Sequence, residues 1–267
     1  MELKTLKIKK EMMNELSSNP RLSRLNFLLL YNSQIVENEY YINSVSKTLN
    51  SLGIKHSIVK SSDFEEMKNI LKNSDEYSSI LLARPTGFIN EDELLNLIPI
   101  KKDVDMLTTS SMGNLLKGDI NFLPATAKSV AIILEKFNIQ VASKKALIIG
   151  RSISVGSPIA LLLLKLNAHI SIVHSRTSID DIKKEAKQSD IIVLASGKRL
   201  LDANDIKDNA VIIDCGYNKD GQGDLGFTPT NASFTPVPGG VGPLTTIAIV
   251  LNALYLFENL NWQYSSL

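Results

Sequence analysis

From residue 144 to residue 216, short apolar runs alternate with helical segments. KKALIIG (144–150), AHISIVH (168–174), DIIVLAS (190–196) and AVIIDCG (210–216) read as strands. Between them SPIALLLLKLN (157–167) and SIDDIKKEAKQ (178–188) read as helices, the second with Ser178 as its N-cap. Unbroken apolar strands are buried on both faces, and parallel neighbours need a long crossover, usually a helix. The alternation therefore predicts a doubly wound parallel sheet.

The first half repeats the pattern less regularly. LNFLLLY (25–31), KHSIVK (55–60) and SSILLAR (78–84) read as strands. Helices are expected in the segment ending at the C-cap Gly53, over 63–73 and over 91–98. ATAKSVAIILEKFNI opens the second set as a helix, and a last helix over 244–258 folds back on the first half. The expected fold class is α/β with two lobes. An N-terminal α/β catalytic lobe comprises 1–120 plus 244–267, and a Rossmann-type lobe comprises 121–243, with ligands in a cleft between them.

Composition narrows the partners. A chain of 267 residues with 44% apolar content can bury a core, and a net charge of +1 favours neither nucleic acid nor an acidic membrane. The charged start MELKTLKIKKEMMNEL does not read as a secretory leader, and no apolar run reaches bilayer length. Cys215 is the only cysteine, so no internal disulfide is expected, which fits a reducing cytoplasm. His56, His169 and His174 make no zinc pattern with it, and no metal is expected. Cys215 reads as core, His169 as a strand residue, and Trp262 and Tyr264 as residues of a polar tail set against a dimer partner.

The segment IIGRSISVGSP (148–158) joins a strand to a helix. Gly150 permits a sharp exit from the strand, and Gly156 lets backbone approach a phosphate at the helix start, where free N–H groups favour an anion. Pro158 suits the first helical turn. An ordinary glycine-rich turn would look the same. An NAD site usually carries a carboxylate about 20 residues on. Here the next strand ends in His174-Ser175-Arg176, with no carboxylate before Asp180. Arg151, Ser175 and Arg176 suit a 2′-phosphate, which points to NADP as cofactor. Ser152 and Val155 belong to the same loop, and Gly197 and Gly216 close the next two strands beside it.

TPVPGGVGPLTT (235–246) is stiff and nearly bare. Prolines fix its path and glycines remove side chains, so a flat ligand is expected against Pro238, Gly239, Gly240 and Pro243.

IIGRSISVGSPIALLL, VHSRT, DCGYN, PVPGGVGPLTT and KDVD together resemble the methylenetetrahydrofolate dehydrogenase/methenyltetrahydrofolate cyclohydrolase (FolD) family over roughly 25–258. The resemblance implies NADP-dependent oxidation of 5,10-methylenetetrahydrofolate, or a related tetrahydropterin, to the methenyl form, by a homodimer. It implies that Asp105 of KDVD binds the pterin and that Tyr41 stacks on it, the two counted as catalytic and substrate-binding, with Gly113 matching downstream. It also places the glycine-rich loop, Gly240 included, where nicotinamide and pterin meet.

Two family positions depart. The lysine four residues after the tyrosine falls at Val45, and the glutamine of the family's QLPLP falls at Ala83. Lys47 lies two residues on, about 200° around a helix, so it should face away. Arg84 is the other nearby cation. Hydrolysis of the methenyl ring needs an activated water, whereas hydride transfer needs mainly orientation. The expectation is an enzyme with weak or absent cyclohydrolase activity. Alternatives are the full bifunctional enzyme, with Lys47 or Arg84 as substitute, and a non-catalytic pterin- and NADP-binding relative. Met106, Leu107 and TTSS also differ from the family and point to a reshaped pterin site.

Overall fold

The computed structural model describes residues 1–258. In chain order the elements are α1 (Leu6–Ser17), β1 (Asn26–Asn32), α2 (Val36–Ser51), β2 (Lys55–Ser61), α3 (Phe64–Lys72), β3 (Ser79–Leu82), α4 (Glu91–Leu95) and α5 (Thr109–Leu116). They continue with α6 (Ala125–Lys136), β4 (Lys145–Ile149), α7 (Gly156–Lys165), β5 (His169–Val173), α8 (Ile179–Ala186) and β6 (Ile191–Leu194). The described residues end with β7 (Val211–Asp214), β8 (Ser233–Phe234) and α9 (Gly242–Glu258).

The chain divides into two compact units. One combines Met1–Lys9 with Thr126–Thr245 and holds a five-stranded parallel sheet in the order β5-β4-β6-β7-β8. The other runs from Lys10 to Ala125, takes in α9 from Thr246 onward, and holds a three-stranded parallel sheet in the order β2-β1-β3. Trp262 and Tyr264 lie outside the described residues.

In the five-stranded unit, Leu147, Ile149, Ile192, Leu194 and Ile212 on the sheet pack against Ile182 and Ala186 of α8. Ser178 caps α8 by accepting from the Asp181 N–H. Helix α7 starts at a glycine for a packing reason. A Cβ on Gly156 would lie 2.2 Å from the Gly150 carbonyl oxygen, and one on Gly150 would lie 2.1 Å from that of Ala195. His169 is exposed at the start of β5, the edge strand.

One part of this sheet escapes the sequence reading. Residues 1–5, expected in the other lobe, pair with β8. Leu3 N donates to Phe234 O at 2.7 Å, and Phe234 N donates to Met1 O at 2.9 Å. Thr5 then fastens the glycine-rich loop, its backbone N–H donating to Gly239 O and its hydroxyl to Gly240 O.

In the three-stranded unit, Leu28 and Leu30 of β1 and Ile80 and Leu82 of β3 pack against Met67 and Leu71 of α3. Asp63 caps α3, accepting from Glu66 N. Helix α5 is an element that the sequence pattern does not announce. Thr108 caps it by accepting from Ser111 N, and it carries Gly113.

Candidate functional site

In the five-stranded sheet the chain leaves β4 toward β5 on one side and later returns to place β6 on the other. Ligands in open parallel sheets bind at the carboxyl ends of strands, at this reversal of direction. A cavity of about 330 Å³ lies there. Its wall draws on the ends of all three strands: Gly150 and Arg151 after β4, His174 and Ser175 after β5, Ser196 and Lys198 after β6. Gly150, at φ +127°, turns the chain where no side chain fits. Ser152 Oγ accepts from Val155 and Gly156 N–H at 3.2 and 3.4 Å, closing the loop before α7. Arg176 is exposed just after Ser175.

The loops beyond are tied from within. Gly197 N donates to Asp224 Oδ2 at 2.8 Å, as does Ser196 N. Gly216 N donates to Asp214 Oδ1 at 2.9 Å. Neither glycine lines the cavity, and the amides of both are engaged inside the protein. Asp214 also accepts from Asp224 N and Leu225 N. Burial pushes its carboxyl up, against the pull of those three N–H groups. Cys215, expected in the core, is only half-buried; its thiol is likewise pushed up, by burial first and then by the Asp214 and Asp224 charges, which disfavours a nucleophilic thiolate. The cations Arg151 and Lys198 beside a glycine turn and a helix start fit the phosphates of a dinucleotide. His174, at a strand end beside the cofactor loop, lines this cavity, and its Nδ1 accepts from Arg176 N at 3.2 Å.

Of the loop residues singled out from sequence, Pro238, Gly239, Gly240 and Pro243 also belong to this unit. Gly239 has φ +105°, and a Cβ on Gly240 would lie 2.5 Å from Pro236 O.

Tyr41 and Asp105 belong to the three-stranded unit, and the fold brings them together. Asp105 sits in the tight turn Asp103–Met106, closed by Met106 N donating to Asp103 O, with Met106 at φ +56°. Asp103 is buried and fully used, accepting from Leu107 N, Thr108 N and the Ser111 hydroxyl. Asp105 is half-buried, and its carboxylate accepts from Ala125 N at 3.2 Å. Burial raises its carboxyl to about 7. The Ala125 N–H and Arg84 oppose the rise, and the charge of Asp103 adds to it. The Tyr41 phenol is pushed well above its usual value by burial and then by the Asp105 charge.

The two departing positions are closed. Val45 and Ala83 are each 0% exposed, while Lys47 is exposed on the opposite side of α2. Arg84 pairs through Nε with Glu91, which also accepts from Thr86 N. Burial would raise Glu91, but the Thr86 and Arg84 contacts outweigh it and hold the carboxyl low. The Arg84–Glu91 pair is invisible in the sequence, where Glu91 reads only as the acidic start of a helix.

Among the described residues, no helix is long and apolar enough to cross a membrane, and no group of three or more His, Cys, Asp or Glu could hold a metal ion.

Residues 124–261 match the profile of the tetrahydrofolate dehydrogenase/cyclohydrolase NAD(P)-binding domain. The chain is 38% identical over 228 residues to the bifunctional protein FolD of Clostridium botulinum, covering 80% of each sequence. It is 34% identical over 265 residues to that of Leptospira interrogans, covering 93% of this chain and 92% of the relative. Among solved structures it resembles the Trypanosoma brucei methylenetetrahydrofolate dehydrogenase-cyclohydrolase complexed with NADP and an inhibitor. There the TM-score is 0.89 at 25% identity, over 97% of each chain.

Proposed function

The chain belongs to the tetrahydrofolate dehydrogenase/cyclohydrolase (FolD) family, and from that premise we propose that it oxidises 5,10-methylenetetrahydrofolate or a related tetrahydropterin to the methenyl form with NADP. The observation that carries this reading is the Asp105 carboxylate beside Tyr41 in the three-stranded unit. A pterin edge presents an amino group and a ring N–H, and an ionised carboxylate accepts both. Tyr41 offers an aromatic face for the ring. Bound NADP supplies the acceptor for the hydride. The protein's part is orientation, a term that reaches about 7–11 kcal/mol in the best intramolecular cases. Arg151, Ser175 and Arg176, with no carboxylate before Asp180, support NADP over NAD. In the same reading Pro238, Gly239, Gly240 and Pro243 face the rings, Gly150, Ser152, Val155, Gly156, Gly197 and Gly216 belong to the cofactor side, and the enzyme is a homodimer.

The cyclohydrolase step is weak or absent in this proposal. Val45 and Ala83 are buried and cannot donate, accept or titrate, so neither activates a water. A second reading, full bifunctionality, draws support from the names of the bacterial relatives and from the Arg84 charge acting on Asp105. One assay separates the two. Methylenetetrahydrofolate and NADP are supplied, and methenyl product is followed against its hydrolysis to the formyl compound. Accumulation of the methenyl form supports the first reading, and rapid enzyme-dependent onward conversion sinks it.

A further inference from the structure

Helix α9 is almost wholly apolar from Ile247 to Leu254, yet Asn252 stands in it with 0% exposure. Its Nδ2 donates to two carbonyl oxygens, Val104 O at 2.8 Å and Leu123 O at 3.1 Å. Carbonyls only accept, so the amide cannot be turned over. Its Oδ1 is then left buried without a hydrogen-bonding partner. Such an orphan is costly, and packing alone would be served by leucine. The two carbonyls explain the choice. Val104 directly precedes Asp105, and Leu123 lies two residues before Ala125, whose N–H meets the Asp105 carboxylate. One side chain therefore ties together the two backbone segments whose separation sets that contact.

We propose that Asn252 is a positioning residue for Asp105, holding the Val104 and Leu123 backbones so that the Ala125 N–H stays aligned with the carboxylate. Its consequence for substrate rests on the reading of Asp105 as the pterin acceptor. The charged and titratable groups acting on Asp105 are Asp103 and Arg84, with Tyr41 acted on in turn. The Asn252 side chain hydrogen-bonds to the Val104 and Leu123 backbone and to none of these groups, so a change at Asn252 reaches the carboxylate through the backbone.

The test compares wild type with Asn252→Leu and with Asn252→Ser, which keeps one donor in a smaller side chain. The midpoint of the Asp105 carboxyl is followed by NMR without ligand. The Ala125 N–H bond holds that midpoint down, so Asn252→Leu should raise it by about one pH unit, with Asn252→Ser between. The KM for methylenetetrahydrofolate should rise about tenfold while the KM for NADP stays within about twofold. An unchanged midpoint in folded Asn252→Leu and Asn252→Ser overturns the proposal. The midpoint is read without substrate, so it decides the positioning role even if the pterin assignment fails. That failure would show separately, as wild type that does not oxidise the pterin.

Discussion

The two sheets share a local plan and use it differently. In each, one strand feeds a neighbour on one side before the chain crosses to the other, giving β5-β4-β6 in one unit and β2-β1-β3 in the other. Both therefore have a reversal point at their carboxyl ends. In the five-stranded unit that point is a cavity of about 330 Å³, lined with glycine, serine and cations. In the three-stranded unit the chain's own loop after β3 is tied down there. Asn32 Nδ2 donates to Thr86 O at 2.7 Å, Asn38 Nδ2 donates to Pro85 O at 2.8 Å, and Glu91 holds Arg84 and Thr86 N. The residues assigned to pterin lie beyond, on α2 and the turn Asp103–Met106. Topology offers a crevice, and the side chains at its mouth decide whether a ligand or a loop occupies it.

Disabling one unit should leave the other's ligand in place. Asp105→Ala removes the acceptor proposed for the pterin edge, so kcat/KM for the pterin should fall about 10²- to 10⁴-fold if two charge-assisted bonds are lost. NADP binding, measured by calorimetry, should not move. Equal loss of both affinities would contradict separate sites.

Gly150→Ala tests the open crevice. Its Cβ would lie 2.1 Å from Ala195 O at φ +127°, so the variant should lose about 2–4 kcal/mol of stability in denaturant titrations. NADP should bind more weakly, and the Asp105 midpoint should stay where it is.

Arg176→Gln sharpens the cofactor choice. Loss of one charge-assisted contact to a 2′-phosphate should raise the KM for NADP about tenfold and leave that for NAD unchanged. Parallel rise of both would place Arg176 outside the phosphate site.

The smallest expected effect concerns pH. The folded Asp105 carboxyl lies near 7, above its unfolded value of about 4. The folded state thus holds a proton that the unfolded state releases, and the stability this gives is full below about pH 4 and lost as pH rises through about 7. Asp105→Asn should therefore raise the melting temperature at pH 8, with the gain vanishing toward about pH 4. Pterin binding should weaken in wild type as pH falls below about 7, since the protonated carboxyl accepts poorly.

Much of the five-stranded unit is legible in the sequence because its signals are local. Continuous apolar strands and Ser178 as a cap each act within a few residues. The resemblance to the family reaches Tyr41 and Asp105, which spacing alone would leave as an ordinary helix tyrosine and a loop aspartate. What stays hidden depends on distant partners. Strand β8 has two residues, too few for a periodic signal. Its partner, residues 1–3, carries no strand pattern. Asn252 sits in an apolar run where a polar residue reads as noise until the Val104 and Leu123 carbonyls are seen to meet it. The Arg84–Glu91 pair spans a turn whose closure no local rule announces.

The bond from Thr5 to the glycine-rich loop spans 234 residues. A ribosome releases residues 1–5 before the whole smaller sheet, and their partner strand β8 only after it. Closing so long a loop comes late, because its entropy must be met before any contact rewards it. The prolines and glycines of that loop are therefore locked only after the strands of both sheets have been made.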